Sequence, residues 1–275
     1  MTEDLTSEVL ARLEAAPDPR LREVLRAAVR HLHAFAREVR LTPDEWMAGI
    51  EFLTAVGRIT TAERQEFILL SDTLGLSSLV ESLAHDHGDG ATESTILGPF
   101  HVPDAPWRAA GDTVAVADPG GTPVVVRGRV LSTDGRPLAA AVLDVWQTAS
   151  NGLYDVQDPG QPRGNMRGRF RTEADGGYVF RTSRPVSYPI PDDGPVGRLL
   201  RASGRHPWRA AHIHVIASAD GHRPVTTHLF DAANEYLDSD TVFGVRDSLV
   251  KDFTPTPDGT FLVTHDFVLR PAAAT

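Results

Sequence analysis

Glycine and proline fall so unevenly along this 275-residue chain that they divide it into two kinds of polypeptide. Residues 1–90 hold 3 of the 20 prolines and 5 of the 23 glycines, and residues 91–275 hold the rest. Proline removes a backbone donor and glycine carries the largest ordering entropy, so both are poor inside helices and useful in turns between strands. The expected fold class is α+β: a helical domain over residues 1–90, then an antiparallel β-sandwich over residues 91–275.

Periodicity points the same way. Leu21, Val24, Leu25, Ala28, Leu32, Phe35 and Val39 recur at intervals of three and four, which sets them on one helix face. Thr42-Pro43-Asp44-Glu45 reads as a helix start with Thr42 as N-cap and Glu45 closing a capping box. Thr60 and Glu63 repeat that spacing ahead of Phe67. Roughly three to five helices are expected over residues 3–85. So few helices bury their apolar faces only partly, and are expected to pack on the β-domain or on a second subunit. Beyond residue 95 the pattern becomes short β runs at 124–130, 141–146, 178–182, 212–217, 225–230 and 261–269, separated by turn sequences such as Asp134-Gly135-Arg136-Pro137.

The formal charge of −10 disfavours nucleic acid and acidic membranes as partners, since both are polyanions. No apolar run approaches the roughly 20 residues needed to cross a bilayer, and the N-terminus lacks the basic and apolar segments of a secretion signal, so a cytoplasmic protein is expected. Cysteine is absent, which excludes disulfides, thiolate nucleophiles and thiolate metal sites. Any metal must be held by nitrogen and oxygen.

The sharpest chemical feature is Arg209-Ala210-Ala211-His212-Ile213-His214-Val215. Residues two apart on a strand share a face, so His212 and His214 project together, either as two metal ligands or as two half-buried, hydrogen-bonded imidazoles. Four tyrosines exist, and Tyr188 lies between Pro185 and the pair Pro189 and Pro191, in a loop with little backbone freedom. Tyr154 follows a glycine turn in Asn151-Gly152-Leu153-Tyr154. Two imidazoles and two phenolates would make a hard donor set that favours Fe(III). Other histidines read as solvated: His31 and His33 point apart on a helix, and His85, His87 and Asp89 lie in a polar connector. Asp238, Ser239 and Asp240 have acidic spacing but lack the glycine and distal glutamate of a calcium loop.

With those residues in view, the sequence resembles the intradiol ring-cleavage dioxygenases. Val126-x-Gly128-x-Val130, Gly135, Leu138, Leu143-Asp144-Val145 and Gly152-x-Tyr154 are similar to the family's signature region; Pro185 to Tyr188 and Arg209-x-x-His212-x-His214 to its two later ones. Leu97-Gly98-Pro99-Phe100 resembles the segment opening the catalytic domain, and the likeness covers about residues 20–270. The resemblance implies that Tyr154, Tyr188, His212 and His214 ligate Fe(III), and that Tyr188 departs when a catecholic substrate binds, taking its proton. Arg209 would stabilise negative charge on the ring. It also implies O2 as co-substrate, a homodimer formed through the N-terminal helices, and room for a phospholipid there.

His228 stands where the catechol branch usually carries Gln, and is expected to be a proton donor, a contact for an extra ring hydroxyl, or a hydrogen-bonded spacer. The stretches 188–197, 204–208 and 236–245 are more similar to the hydroxyquinol branch, which implies benzene-1,2,4-triol as substrate and 3-hydroxy-cis,cis-muconate, tautomerising to maleylacetate, as product. Catechol, giving cis,cis-muconate, is the alternative. Leu76, Leu79 and Val80 are expected to line the pocket. Two readings of another class remain: a non-catalytic β-sandwich binding module with structural histidines, and a zinc hydrolase, for which two phenolates would be an odd ligand set.

Overall fold

A computed structural model describes residues 2–61, 64–85, 88 and 90–272. Glu63, His87 and Asp89 lie outside the described residues. The chain divides into two compact units, residues 1–58 and 59–275.

The first unit is built from α1 (Thr2–Leu13), α2 (Pro19–Glu38) and α3 (Pro43–Ile59). Asp18 caps α2, its Oδ1 accepting from the amides of Arg20 and Leu21 at 2.8 and 3.2 Å, with Pro19 in the first turn. The capping box ahead of α3 forms as expected: Thr42 N–H donates to Glu45 Oε2 at 2.9 Å and Glu45 N–H to Thr42 Oγ1 at 3.3 Å. α1 lies on α2, with Thr6 Oγ1 and His33 Nδ1 2.9 Å apart. In the α2 stripe that periodicity picks out, Leu32 is 64% and Phe35 52% exposed.

The second unit carries α4 (Glu66–Thr73), α5 (Leu76–His85) and α6 (Pro195–Ala202) together with every strand among the described residues. In chain order these are β1 (Pro123–Ser132), β2 (Val142–Trp146), β3 (Arg167–Arg171), β4 (Gly177–Ser183), β5 (Tyr188–Pro189), β6 (Trp208–Arg209), β7 (His212–Ser218), β8 (Val225–Asp231), β9 (Val250–Lys251), β10 (Thr254–Pro255), β11 (Phe261–Thr264) and β12 (Phe267–Leu269). One sheet centres on β1, with β4 along one edge and β11, then β12, along the other; β10 extends it beyond β11. The second sheet runs β3-β2-β7-β8-β9, and β5 pairs with β6 alone. Among the described residues no single helix is long and apolar enough to cross a membrane; α4 and α5 reach that length only as a pair bent by 75°.

The antiparallel expectation is corrected here, because the sheets are mixed. β1 runs parallel to β11 and β12, and β8 parallel to β9. Hairpin logic covers only neighbours joined by short turns, whereas the last strands return over a long connection and meet β1 in the same direction. The run 261–269 is broken into two strands, yet the register is the same on both sides: Val124 faces Phe261 and Val130 faces Phe267. Gly128 sits at the break, where a Cβ would come within 1.8 Å of the His265 carbonyl oxygen, so only glycine lets the backbones approach. β3, α6 and the two-residue strands β5, β6, β9 and β10 are additions to the expected elements. β3 reads as polar in Arg-Gly-Arg-Phe-Arg, and α6 starts from a Gly-Pro pair that resembles a loop.

The core lies between the sheets. Val124, Val126, Phe180 and Val263 face Leu143, Val145, Ile213, Val215 and Leu229, so every second residue of β2, β7 and β8 is spent on the core. The alternate residues of those strands point to the outer face of the second sheet.

His265, in the break, is mostly buried and meets Phe267 edge-on at 4.7 Å. Burial, then the Lys251 charge, push its imidazole down to about 4 against an opposing pull from Asp266. Below about 6.5 the unfolded imidazole takes up a proton that the folded one refuses, so stability falls as pH drops from about 6.5 to 4, by up to about 1.4 kcal/mol per unit. His265→Gln is expected to remove one proton's worth of slope from urea melts across that range. An unchanged slope would assign the proton uptake to other groups.

Candidate metal centre

Sheet register assembles the site. On the outer face of the second sheet Arg167 lies opposite Trp146, Trp146 opposite His214, and His214 opposite His228, one row across β3, β2, β7 and β8. His212 occupies the next outward position, opposite Phe230. A slip of one residue at any pairing would turn these side chains into the core. Trp146 stacks on His214 with centroids 4.6 Å apart and planes 9° apart, which fixes that imidazole.

The tyrosines arrive from two connections. After β2 the chain turns at Gly152, whose φ of +77° suits glycine, with the Leu153 N–H donating to Asn151 Oδ1 at 3.1 Å. Tyr154 follows, 1% exposed, with Phe100 stacked on its ring at 4.6 Å. Tyr188 is held by the β5–β6 pairing, opposite Arg209, and Asn234 ties the neighbouring Ser187 Oγ at 2.7 Å. Tyr178 and Tyr236 go elsewhere: Tyr178 donates to the His265 carbonyl at 2.7 Å, and Tyr236 stacks on Trp208.

Four donor atoms converge. Tyr154 Oη lies 2.9 Å from Tyr188 Oη and 3.0 Å from His214 Nε2; His212 Nε2 lies 3.1 Å from His214 Nε2 and 3.4 Å from Tyr188 Oη. His212 Nδ1–H donates to the Ala210 carbonyl at 2.6 Å, which leaves Nε2 as the bare lone pair facing the cluster. Burial first, then the Arg209 charge, holds the His212 imidazole well below its ordinary range. Burial together with its neighbouring histidines does the same for His214, and burial with His212 for His228. All three are neutral, the form that ligates metal. Burial, then Tyr188, raises the Tyr154 phenol well above 10 in the absence of a cation.

Arg209 Nη1 reaches His212 Nε2 at 3.2 Å and Tyr188 Oη at 3.5 Å. Its Nε donates to Asp240 Oδ1 at 3.3 Å, and both partners are buried. Burial opposes the guanidinium charge, but Asp240 and then the two phenols hold its pKa above the ordinary value. His228 is fully buried, its ring 4.2 Å from that of His214; Nδ1 is hydrogen-bonded to Thr95 Oγ1 and Nε2 has no partner.

The donor set fits a metal ion. Adjacent ligands about 2.0–2.1 Å from a first-row ion stand roughly 2.9–3.4 Å apart, the spacing these four atoms already have. Two neutral nitrogens and two phenol oxygens, buried beside an arginine, have no better use for so many facing lone pairs than a cation. His212, His214 and His228 also lie close enough to share one. His228 Nε2 makes no hydrogen bond to the other donors, whereas the Tyr–His quartet is linked atom to atom.

A cavity of 450 Å³ is bounded by Ile68, Leu69 and Asp72 of α4, by Pro191, and by Pro99 and Phe100, the last of which stacks on Tyr154. Leu76, Leu79 and Val80 do not line it. Gly75, with φ +75°, turns the chain after α4, and these three residues are more than half exposed. Asp72, missed in the sequence, is 4% exposed, and burial raises its carboxyl pKa. The sequence places Asp240 in a failed calcium motif and in the stretch 236–245, without a role at the centre. His206 and His222 stand outside the cluster, as does His85, whose Nδ1 is 3.0 Å from the Glu81 carbonyl.

A family model described as "Dioxygenase" matches residues 96–271, and one described as "Catechol dioxygenase N terminus" matches residues 18–92. The chain belongs to the intradiol ring-cleavage dioxygenase family. Its relatives include the 6-chlorohydroxyquinol 1,2-dioxygenase of Cupriavidus pinatubonensis, 50% identical over 98% of this chain and 97% of that protein. The hydroxyquinol 1,2-dioxygenase of a Rhizobium species is 49% identical over 95% and 92%. The crystal structure of hydroxyquinol 1,2-dioxygenase from Pseudomonas putida DLL-E4 superposes with a TM-score of 0.93 at 45% identity, covering 98% of this chain and 99% of that one.

Proposed function

We propose that the protein uses Fe(III) to cleave hydroxyquinol between the two ortho hydroxyl-bearing carbons, inserting both atoms of O2 to give 3-hydroxy-cis,cis-muconate and thence maleylacetate. The observation that carries this is the buried quartet of Tyr154, Tyr188, His212 and His214 beside Arg209, in a chain half identical to enzymes named for hydroxyquinols. Bound Fe(III) supplies a Lewis acid and electron acceptor for the chelated substrate.

The residues divide the work. Tyr154, His212 and His214 are the permanent ligands, two of them locked by Trp146 and the Ala210 carbonyl. Tyr188 is the ligand that leaves, its Oη taking a proton from a substrate hydroxyl. Its place beside Arg209 Nη1, at 3.5 Å, gives the released phenol a partner. Arg209, fixed by Asp240, stabilises negative charge on the ring without reorganising. His228 offers Nε2 as a proton donor or as a contact for a substrate oxygen. Asp72 on the cavity wall is the acceptor for the third ring hydroxyl, which catechol lacks.

Oxygen uptake by iron-loaded protein, with an enzyme-free blank for autoxidation, tests this: fast uptake with benzene-1,2,4-triol and slow with catechol is expected. The reverse order would keep the chemistry and make catechol the substrate. In Asp72→Leu, kcat/KM for the triol is expected to fall about tenfold or more while that for catechol stays within about twofold. Equal losses would remove Asp72 from substrate recognition.

We further assign the exposed α2 stripe around Leu32 and Phe35 to a homodimer, with a phospholipid chain able to share that surface. The helical region 1–90 is then the dimerisation domain and 91–275 the catalytic one. Light scattering that returns the mass of one chain would overturn the dimer.

A further inference from the structure

We propose that Arg167 is a positioning residue for Tyr154, anchoring the chain at the residue after it and setting a fixed positive charge against its ring, so that it tunes this phenol oxygen as a donor to the metal. The inference rests on the assignment of Tyr154 as a ligand.

Arg167 is buried at the end of the cross-strand row that contains Trp146, His214 and His228. Its Nε donates to Asp155 Oδ1 at 2.6 Å, and the two side chains are only 2% and 4% exposed. Asp155 directly follows Tyr154, and its Oδ2 accepts the Gly164 N–H at 2.8 Å, so the tyrosine's backbone is tied both to β3 and to the turn before it. Desolvating two charges largely cancels their attraction, and a neutral pair of the same shape would hold the chain about as well. Anchoring alone therefore does not call for a cation here.

The way the guanidinium is used points to its further task. Arginine in a structural pair with carboxylate commonly engages both prongs of its fork. Here only Nε is engaged, while Nη1 and Nη2 are buried without a hydrogen-bond partner. What the guanidinium does have is the Tyr154 ring, whose centroid is 5.8 Å from Cζ, within cation–π range. Phe100 stacks on that ring at 4.6 Å, so the ring is held while its oxygen meets Tyr188 and His214. A cation against the ring lowers the energy of its highest filled orbital. The phenolate then donates less to Fe(III), the metal stays more electron-accepting toward substrate, and the phenolate-to-iron absorption lies at higher energy.

The test uses the full iron-loaded chain and three variants: Arg167→Gln, Arg167→Lys, and the double variant Asp155→Asn with Arg167→Gln. The double variant leaves no lone buried charge and stands in if Arg167→Gln fails to fold. Unchanged iron per chain is expected throughout, with the visible band of both uncharged variants moved to longer wavelength and Arg167→Lys restoring most of the shift. With hydroxyquinol, kcat is expected to fall about tenfold in the uncharged variants with KM within about twofold. A band at the wild-type wavelength in the double variant, or a shift that lysine does not reverse, would overturn the proposal and leave Arg167 as packing. Wild-type protein that carries iron without the band would instead overturn the Tyr154 assignment, and this inference with it.

Discussion

Tyr154→Phe is expected to cut ring-cleavage activity by about a thousandfold or more and to lower iron occupancy, whereas Tyr188→Phe keeps the metal and loses about a hundredfold. Both tyrosines end within 3.4 Å of imidazole nitrogens, yet their settings differ. Tyr154 is clamped by Phe100 just after the turn at Gly152. Tyr188 stands next to Arg209, which can receive it on release. Under the proposed assignment, removing the first deletes a permanent ligand and removing the second deletes a proton acceptor that leaves in any case. Iron analysis, the visible spectrum and oxygen uptake, run on both variants and their combination, separate these roles. The double variant should be colourless. If it keeps the charge-transfer band, other residues bind the metal and the quartet is misassigned. If Tyr188→Phe loses more iron than Tyr154→Phe, the two roles are reversed.

Arg209→Gln is expected to lower kcat by about a hundred- to a thousandfold, the size of loss seen when one preorganised charge is removed from a developing anion. It should also destabilise the fold by roughly 3–5 kcal/mol, because the buried Asp240 charge is left without its counter-charge. Asp240 is already spent on three donors, Arg209 Nε, the Ala210 N–H at 3.2 Å and the Gly244 N–H at 2.8 Å, so it cannot turn away. Pairing Arg209→Gln with Asp240→Asn removes the lone charge. The double variant is expected to recover most of the stability in urea melts and little of the activity. Recovery of both would make the arginine structural and sink its electrostatic role. Gly244 belongs to the same unit, since a Cβ there would lie 2.9 Å from Arg209 Nη2 and crowd the guanidinium.

Much of this site is legible in the sequence alone. The His-x-His pair needs only the two-residue period of a strand, which sends His212 and His214 to one face and Ile213 and Val215 into the core. Tyr154 and Tyr188 stood out through the glycine turn and the proline-bounded loop that carry them. The α3 capping box formed from local spacing alone. These features are local, and local physics is written in short stretches of chain.

What could not be read is non-local. That His228 faces His214, and Trp146 stacks behind it, follows from the register of three strands, which no single strand encodes. That 238–240 supplies the counterion of Arg209, rather than a failed calcium loop, depends on a turn brought 31 residues back to the site. The parallel pairing of β11 and β12 with β1 arose from a long return, which hairpin reasoning does not cover. The turn at Gly75 sets α4, and not Leu76, Leu79 and Val80 of α5, against the cavity, a placement that helix periodicity does not encode.

The order of amino acids thus settled the division into helical and β-rich parts, the absence of thiol chemistry and the nitrogen–oxygen character of the centre, because composition and two-residue periodicity act over a few positions. Tertiary structure alone chose which buried polar groups answer one another. Asp240 behind Arg209, and Arg167 with Asp155 behind Tyr154, are partnerships across space, set where burial makes an unpaired charge too costly to leave.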